Sequence, residues 1–164
     1  MRVETERMYI YPLSDEEMRL VIKNESDPEM KQAYTEMLEG SLSNPDKRIW
    51  YAIWNMELKD ESGIIVGDLC FKGLGDDGVV EIGYGLKEEY RHYGYMTEAV
   101  KAITEWALSQ ENVKQVEAET DAENIASQKV LFRSGFVSNG KMGEEEPRLV
   151  YGGKKGMKKY TKGH

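Results

Sequence analysis

The sequence predicts a mixed α/β fold: a mostly antiparallel sheet of about seven strands with one parallel, splayed pair and helices on both faces. Three observations lead there. Two β-rich runs at 49–58 and 63–73, separated by KDESG, read as a hairpin. A strand, a helix and a strand follow one another through 78–120, and such a unit closes by a right-handed crossover that makes its strands parallel. Helical periods lie before and after these strands, at 14–40 and 124–135.

Each element has its own warrant. RMYIYPL (7–13) is a first strand stopped by Pro12. SDEEMRLVIKNE (14–25) opens with a capping serine and a run of acids suited to a helix N-terminus. DPEMKQAYTEMLEG (27–40) places Pro28 in a first turn and ends on Gly40, the expected stop. IWYAIWNMEL and GIIVGDLCFKG are the hairpin strands, and GVVEIGYGL (78–86) is the next strand after a glycine-rich turn. TEAVKAITEWALSQ (97–110) puts Val100, Ile103, Trp106 and Ala107 on one helical face. VKQVEAET (113–120) alternates Val116, Ala118 and Thr120 against Gln115, Glu117 and Glu119, as a half-buried strand does. NIASQKVLFRSG (124–135) is a further helix, and FVSNGKM and PRLVYGG are the last strands.

Size and composition narrow the class. A chain of 164 residues suits one domain, expected over 1–151, with a basic, flexible tail at 152–164. No apolar run reaches the length of a membrane span, and MRVETERMYIYPL lacks the apolar centre of a secretory signal. Cys70 is the only cysteine, which rules out an internal disulfide and suits a reducing, cytoplasmic setting. With two histidines and one cysteine, no metal cluster is expected. The net charge is −8, and the tail contributes five lysines and no acid, so the body is more acidic still. That argues against a nucleic-acid partner and leaves either a merely solvated acidic surface or one that attracts a cationic partner such as an amine.

The chemistry concentrates in EIGYGLKEEYRHYGYMTEA. A strand runs through a short connection straight into a helix expected to begin at Thr97. Helix N-termini carry unpaired amides and a positive dipole end, which suits an anion. Gly94 lets the backbone approach a diphosphate without a Cβ and adopt an unusual φ, and Arg91 adds a charged fork. Gly83 and Gly85 inside the preceding strand point to a bulge or to close approach of a ligand. A bulge there would splay this strand from its parallel neighbour and open a slot at the carboxyl ends of the strands.

These residues resemble the GNAT superfamily of acyl-CoA-dependent N-acyltransferases. The family's Arg/Gln-x-x-Gly-x-Gly/Ala signature stands here as Arg91-His92-Tyr93-Gly94-Tyr95-Met96, with Met96 where Gly or Ala is usual. EIGYGLKEEYRHYGYMTEAV and AENIASQKVLFRSGF look like the branch that includes ribosomal-protein alanine acetyltransferases and polyamine acetyltransferases. The resemblance covers 78–140 well, whereas the N-terminal half, which shapes the acceptor site in this family, gives no comparable match.

The resemblance implies acetyl-CoA as co-substrate, with the pantetheine arm on the backbone of Tyr84, Gly85 and Leu86 and the pyrophosphate on the amides from Arg91, His92 and Tyr93 through Gly94, Tyr95 and Met96 to Thr97. Asn124 corresponds to a pantetheine-contacting asparagine, and it also suits a plain N-cap. Ser127 stands where it would steer or protonate the departing thiolate, or where a small residue packs on the sheet. Many members carry a tyrosine eight positions after the asparagine as general acid; Phe132 stands there, leaving Ser127, a tyrosine from elsewhere, or water. An acceptor amine must lose a proton before attack, and Glu81 beside the expected bulge is the candidate base, acting through water, or else a strand residue paired with a cation.

Cys70 alternates with apolar neighbours and reads as core. Glu144, Glu145 and Glu146 form either a solvated turn or an amine-attracting rim. The expected function is acetyl transfer to a primary amine, a protein N-terminus or a small polycation, by direct attack, with a homodimer as a compatible assembly. The rival from another class is a non-catalytic acyl-CoA-binding sensor of the same fold. A phosphate-loop nucleotide protein is disfavoured, since no Gly-Lys-Ser/Thr sequence is present.

Overall fold

The structure is a computed structural model and describes residues 1–120, 124–142 and 147–151. The basic tail at 152–164 and Glu144, Glu145 and Glu146 lie outside the described residues. Among the described residues eight strands form one sheet: β1 Val3–Glu4, β2 Met8–Pro12, β3 Ile53–Leu58, β4 Ile65–Leu74, β5 Val79–Leu86, β6 Gln115–Glu119, β7 Phe136–Met142 and β8 Pro147–Tyr151. Their spatial order is β1-β2-β3-β4-β5-β6-β8-β7. Every neighbouring pair is antiparallel except β5 and β6, as the crossover requires.

The helices are α1 Asp15–Asn24, α2 Pro28–Ser43, α3 Tyr95–Leu108 and α4 Ile125–Arg133. α1 opens with a full capping box between Ser14 and Glu17, and α2 begins with Asp27 as N-cap and Pro28 in its first turn. These two helices cover one face through a cluster of Leu13, Met18, Tyr34, Ala52 and Ile53. The other face carries α3 and α4. There Trp54 and Phe71 are almost wholly buried, and Trp106 of α3 stacks on Trp50 with ring centroids 5.3 Å apart. Burial of rings of this size contributes about 2–3 kcal/mol each, so α3 is firmly seated and its N-terminus is a fixed point.

Local boundaries depart from expectation where tertiary contacts intervene. Gly40 does not end α2, which runs on to Ser43. Its role is steric: a Cβ there would meet Tyr51 Cδ1 at 2.7 Å. Residues Pro45–Trp50 form 3₁₀ turns, so β3 starts at Ile53 rather than at 49. The two-residue β1 adds an eighth strand, held by pairing with β2. The helix expected at Thr97 begins two residues sooner, at Tyr95.

What positions the site is the end of the β5–β6 ladder. Val79, Val80 and Glu81 pair with Gln115, Val116 and Glu117, and no further pair joins the two strands. Among the described residues β5 continues to Leu86 bonded to β4 alone, so its other edge is free along the last five residues. The splay is there, but the expected bulge at Gly83 and Gly85 is not: these residues pair in register with Cys70 and Asp68. The register shift lies instead in β4, between Phe71 and Leu74, where Gly73 takes φ +87°. The slot opens because β6 turns away to pair with β8, not because β5 is kinked.

Candidate active site

The mouth of the slot is the loop from β5 to α3. A 3₁₀ turn at Glu88–Tyr90 brings the chain around, His92 takes φ +72°, and Gly94 caps α3 at φ +78°. A left-handed φ costs an ordinary residue about 1–2 kcal/mol, and glycine avoids it. The first intrahelical bond runs from the Glu98 amide to the Gly94 carbonyl at 3.1 Å. The amides of Tyr95, Met96 and Thr97 therefore have no intrahelical partner and face the mouth as donors. Met96 is buried in the core, so its side chain leaves those amides uncovered. Arg91 and His92 are exposed beside them, and the Tyr93 and Tyr95 rings lie 6.0 Å apart on the rim.

One brace of this loop has no local sequence signal. Arg7, just before β2, donates from Nε to Glu98 Oε1 at 2.7 Å and from NH1 to the Tyr93 carbonyl at 2.9 Å. Its guanidinium stacks over the Tyr95 ring at 4.2 Å. Thr5 and the Arg7 amide bond the other Glu98 oxygen. Burial would raise the Glu98 carboxyl, but these hydrogen bonds and the Arg7 charge outweigh it and hold the group below its usual range. The partners are some ninety residues apart in sequence, which is why periodicity and motif could not reveal them.

Further along the slot, Tyr84 leaves β5 toward α4. Its hydroxyl donates to the Ser127 carbonyl at 3.2 Å and shares a 2.8 Å hydrogen bond with Ser127 Oγ. Burial pushes the Tyr84 phenol up, partly offset by Ser127. Asn124 acts as the N-cap of α4, its Oδ1 accepting from the Ser127 amide at 3.0 Å. Phe132 is half exposed, at 52%. Thr120, just beyond β6, is buried with a hydroxyl that has no hydrogen-bond partner among the described residues.

Glu81 lies where the ladder ends, and it is not a free carboxylate. Lys72 Nζ sits 2.6 Å from one oxygen and Arg148 NH1 2.9 Å from the other. Arg148 also pairs with Glu117 at 2.7 Å and Glu119 at 2.6 Å, so this network fastens β5, β6 and β8 together at the point of splay. Burial would raise the Glu81 carboxyl, and the hydrogen bonds and charges of Lys72 and Arg148 more than reverse it, leaving it below the usual range. Cys70 is buried, and burial pushes its thiol up to about 11, so it is uncharged near neutral pH.

A splayed parallel pair leading to a glycine-capped helix N-terminus, with hydroxyls across the slot, defines the acyltransferase class that the sequence motifs resemble. The chain belongs to the acetyltransferase (GNAT) domain family, which matches it over residues 3–137. It is 38% identical over 88 residues to the uncharacterized N-acetyltransferase YjdG of Bacillus subtilis (strain 168), a match covering 53% of this chain and 52% of that protein. The chain thus spans about half the length of that relative. It is 25% identical over 145 residues, 85% of each chain, to the uncharacterized N-acetyltransferase YnaD of the same organism. Among solved structures, RimL, a ribosomal L7/L12 alpha-N-protein acetyltransferase in complex with coenzyme A, is similar with TM-score 0.70 and 14% identity, over 92% of this chain and 96% of that one. The ribosomal-protein-S5-alanine acetyltransferase of Vibrio fischeri gives TM-score 0.69 and 17% identity, over 92% and 94%. At such identities these structures bear on the fold alone. Among the described residues, no helix is long and apolar enough to cross a membrane.

Proposed function

We propose that this protein is an acetyl-CoA-dependent N-acetyltransferase that acts on a primary amine by direct attack. The observation that carries the reading is a continuity of backbone left unpaired among the described residues: the free edge of β5 from Ile82 to Leu86 leads to the open amides at Tyr95, Met96 and Thr97. A pantetheine arm is an amide-bearing chain of strand-like width, and a strand edge with no neighbour suits it. Its diphosphate would meet the helix N-terminus, with Arg91 alongside.

When bound, acetyl-CoA supplies an activated acyl group whose leaving group is a thiolate. The chain's own part follows. An amide of the free β5 edge supports the charge that develops on the attacked carbonyl oxygen. The Tyr84–Ser127 pair supplies the hydroxyl that Phe132 lacks: Ser127 Oγ can pass a proton to the sulfur and take one in turn from the attacking nitrogen, while Tyr84 holds the serine hydroxyl in place. Glu81 stands near the reacting end of the slot. With two cations on it, its share in taking the amine proton through water is a modest one. The acceptor classes are a protein N-terminus, in keeping with the activities named for the two ribosomal-protein acetyltransferases of like fold, and a small polyamine, in keeping with the acidic body.

The test is to titrate acetyl-CoA by calorimetry and then to follow free thiol with N-terminal peptides and polyamines as acceptors. Binding with amine-dependent thiol release is expected. Binding with no release across the panel would favour a non-catalytic acyl-CoA sensor, and absence of binding would overturn the reading of the slot.

A further inference from the structure

The opposite face of β5 carries a second arrangement that the cofactor side does not use. Glu81, Gly83 and Gly85 alternate along this face, so for four residues beyond Glu81 the strand presents no side chain. A Cβ added to Gly85 would meet one heavy atom within 4 Å, Asp68 Oδ1 at 3.9 Å. At Gly83 it would meet Cys70 Sγ and Lys72 Cε at ordinary contact distances. The glycines therefore form a bare floor, bordered on the β4 side by the Asp68 carboxylate.

Asp68 is held in place and, among the described residues, makes no ion pair; the Lys87 charge acts on it only from a distance. Tyr34 of α2 donates its hydroxyl to Asp68 Oδ2 at 2.7 Å. The acids at the end of the β5–β6 ladder behave differently: Glu81, Glu117 and Glu119 share Lys72 and Arg148. A half-buried carboxylate that no ion pair compensates carries a desolvation cost, and part of that cost is recovered when a cation arrives. Neighbouring strands and a strand-like pantetheine arm each lie about 4.8 Å from β5, on its two sides. An amine resting on Gly85 would thus sit between the carboxylate and the arm.

Building on acetyl-CoA lying in the slot, we infer that Asp68, oriented by Tyr34, receives the ammonium of a cationic primary amine over the glycine floor of β5 and takes its first proton. The ammonium N–H bond breaks and its proton passes to Asp68 Oδ1. The nitrogen lone pair then forms the C–N bond as the C–S bond breaks. The second nitrogen proton goes to the sulfur through the Ser127 hydroxyl, and Asp68 returns its proton to solvent. Atoms and charge balance as ammonium plus thioester giving amide, thiol and one proton. Asp68 suits this better than Glu81 because its carboxyl lies above the usual range, where Glu81 lies below it. The groups acting on Asp68 are Tyr34 from α2, Glu25 at the end of α1 and Lys87 after β5, with the neutral Cys70 beside it on β4. Burial raises the carboxyl, Tyr34 and Lys87 lower it, and Glu25 raises it.

Two isosteric variants, Asp68→Asn and Tyr34→Phe, test this against wild type with spermidine and an alanine-terminated hexapeptide as probes. Asp68→Asn is expected to bind acetyl-CoA within about twofold of wild type, while its kcat/KM for the better probe falls about a hundredfold or more, the usual range for a lost proton acceptor. Its spermidine affinity for the CoA-loaded protein falls about tenfold, and the acid limb of the kcat/KM profile disappears. Tyr34→Phe keeps that limb and loses about fivefold in rate, the effect of one orienting hydrogen bond. An Asp68→Asn protein with wild-type spermidine affinity and an unchanged rate profile overturns the inference. Failure of the underlying acetyl-CoA reading shows separately, as a wild type that does not bind acetyl-CoA.

Discussion

The two faces of β5 are built in opposite ways. On the side proposed for the cofactor the parts are backbone groups, a free strand edge and the first amides of a helix, and they come from one continuous stretch, Ile82 to Thr97. On the other side the parts are side chains brought from separate elements: Tyr34 from α2, Asp68 from β4, and Lys72, Glu81 and Arg148 from three strands. Backbone recognition needs only the right local conformation, which glycine and a helix start supply. Side-chain recognition needs long-range packing, and the chain can vary it without disturbing the first. The architecture therefore suits one fixed donor and an acceptor chosen by a few exchangeable side chains.

Substitutions separate the two faces, and the largest effect is expected on the backbone side. Gly94→Trp places a bulky ring at the mouth and a non-glycine residue at φ +78°. Acetyl-CoA affinity, read by calorimetry, should fall at least about a hundredfold, while the conformational cost of about 1–2 kcal/mol leaves the fold intact by circular dichroism. Retained affinity would show that the ligand does not use the helix N-terminus.

Next come the hydroxyls across the slot. Ser127→Ala should lower kcat by about tenfold with acetyl-CoA affinity nearly unchanged. A thiol of ordinary pKa near 8.5 leaves readily as the anion, so its protonation is worth less than removal of the amine proton. A fall in affinity with unchanged kcat would make Ser127 a binding residue only.

Glu81→Gln should cost only about threefold in kcat/KM, because Lys72 and Arg148 already hold the carboxylate ionised and occupied. A loss comparable to that of Asp68→Asn would restore Glu81 as the principal proton acceptor.

The smallest effect is on stability. Burial holds the Asp68 carboxyl above its ordinary value of 3.8. A raised acid pKa means the folded state binds more protons, so wild-type stability falls as pH rises from the ordinary value through the raised one. Asp68→Asn lacks that loss. Its Tm should exceed that of the wild type near neutral pH, by about 2 °C, the scale of a sub-kilocalorie change in a chain of this size. The gap should close as pH falls toward 3.8, which scanning calorimetry at several pH values would show. A variant less stable than wild type at neutral pH would mean that Asp68 is structurally favourable and not held in readiness for a ligand.

The same division explains what could be read from the sequence. The order of strands and helices, the parallel pair and the existence of a glycine-led helix start after β5 all follow from local period, glycine placement and a capping asparagine. The beginning of α3 at Tyr95 rather than Thr97 was set by the αL turn at Gly94, a conformation that the letters permit but do not time. Gly83 and Gly85 point equally to a bulge or to close approach of a ligand, and only the register with Cys70 and Asp68 removes the bulge. Arg7, Tyr34 and Asp68 carried no motif at all. Arg7 meets Glu98 and Tyr34 meets Asp68 only after the sheet has formed, and neither pair leaves a trace in periodicity.

The most direct measurement is amide hydrogen exchange with and without acetyl-CoA. Slowed exchange confined to the free edge at 82–86 and the amides at 91–97, with the Tyr34 and Asp68 segments unchanged until an amine is added, is the expected result. Slowed exchange elsewhere, or none at 91–97 under saturating acetyl-CoA, would contradict the assignment of the slot and with it the division of labour between the two faces of β5.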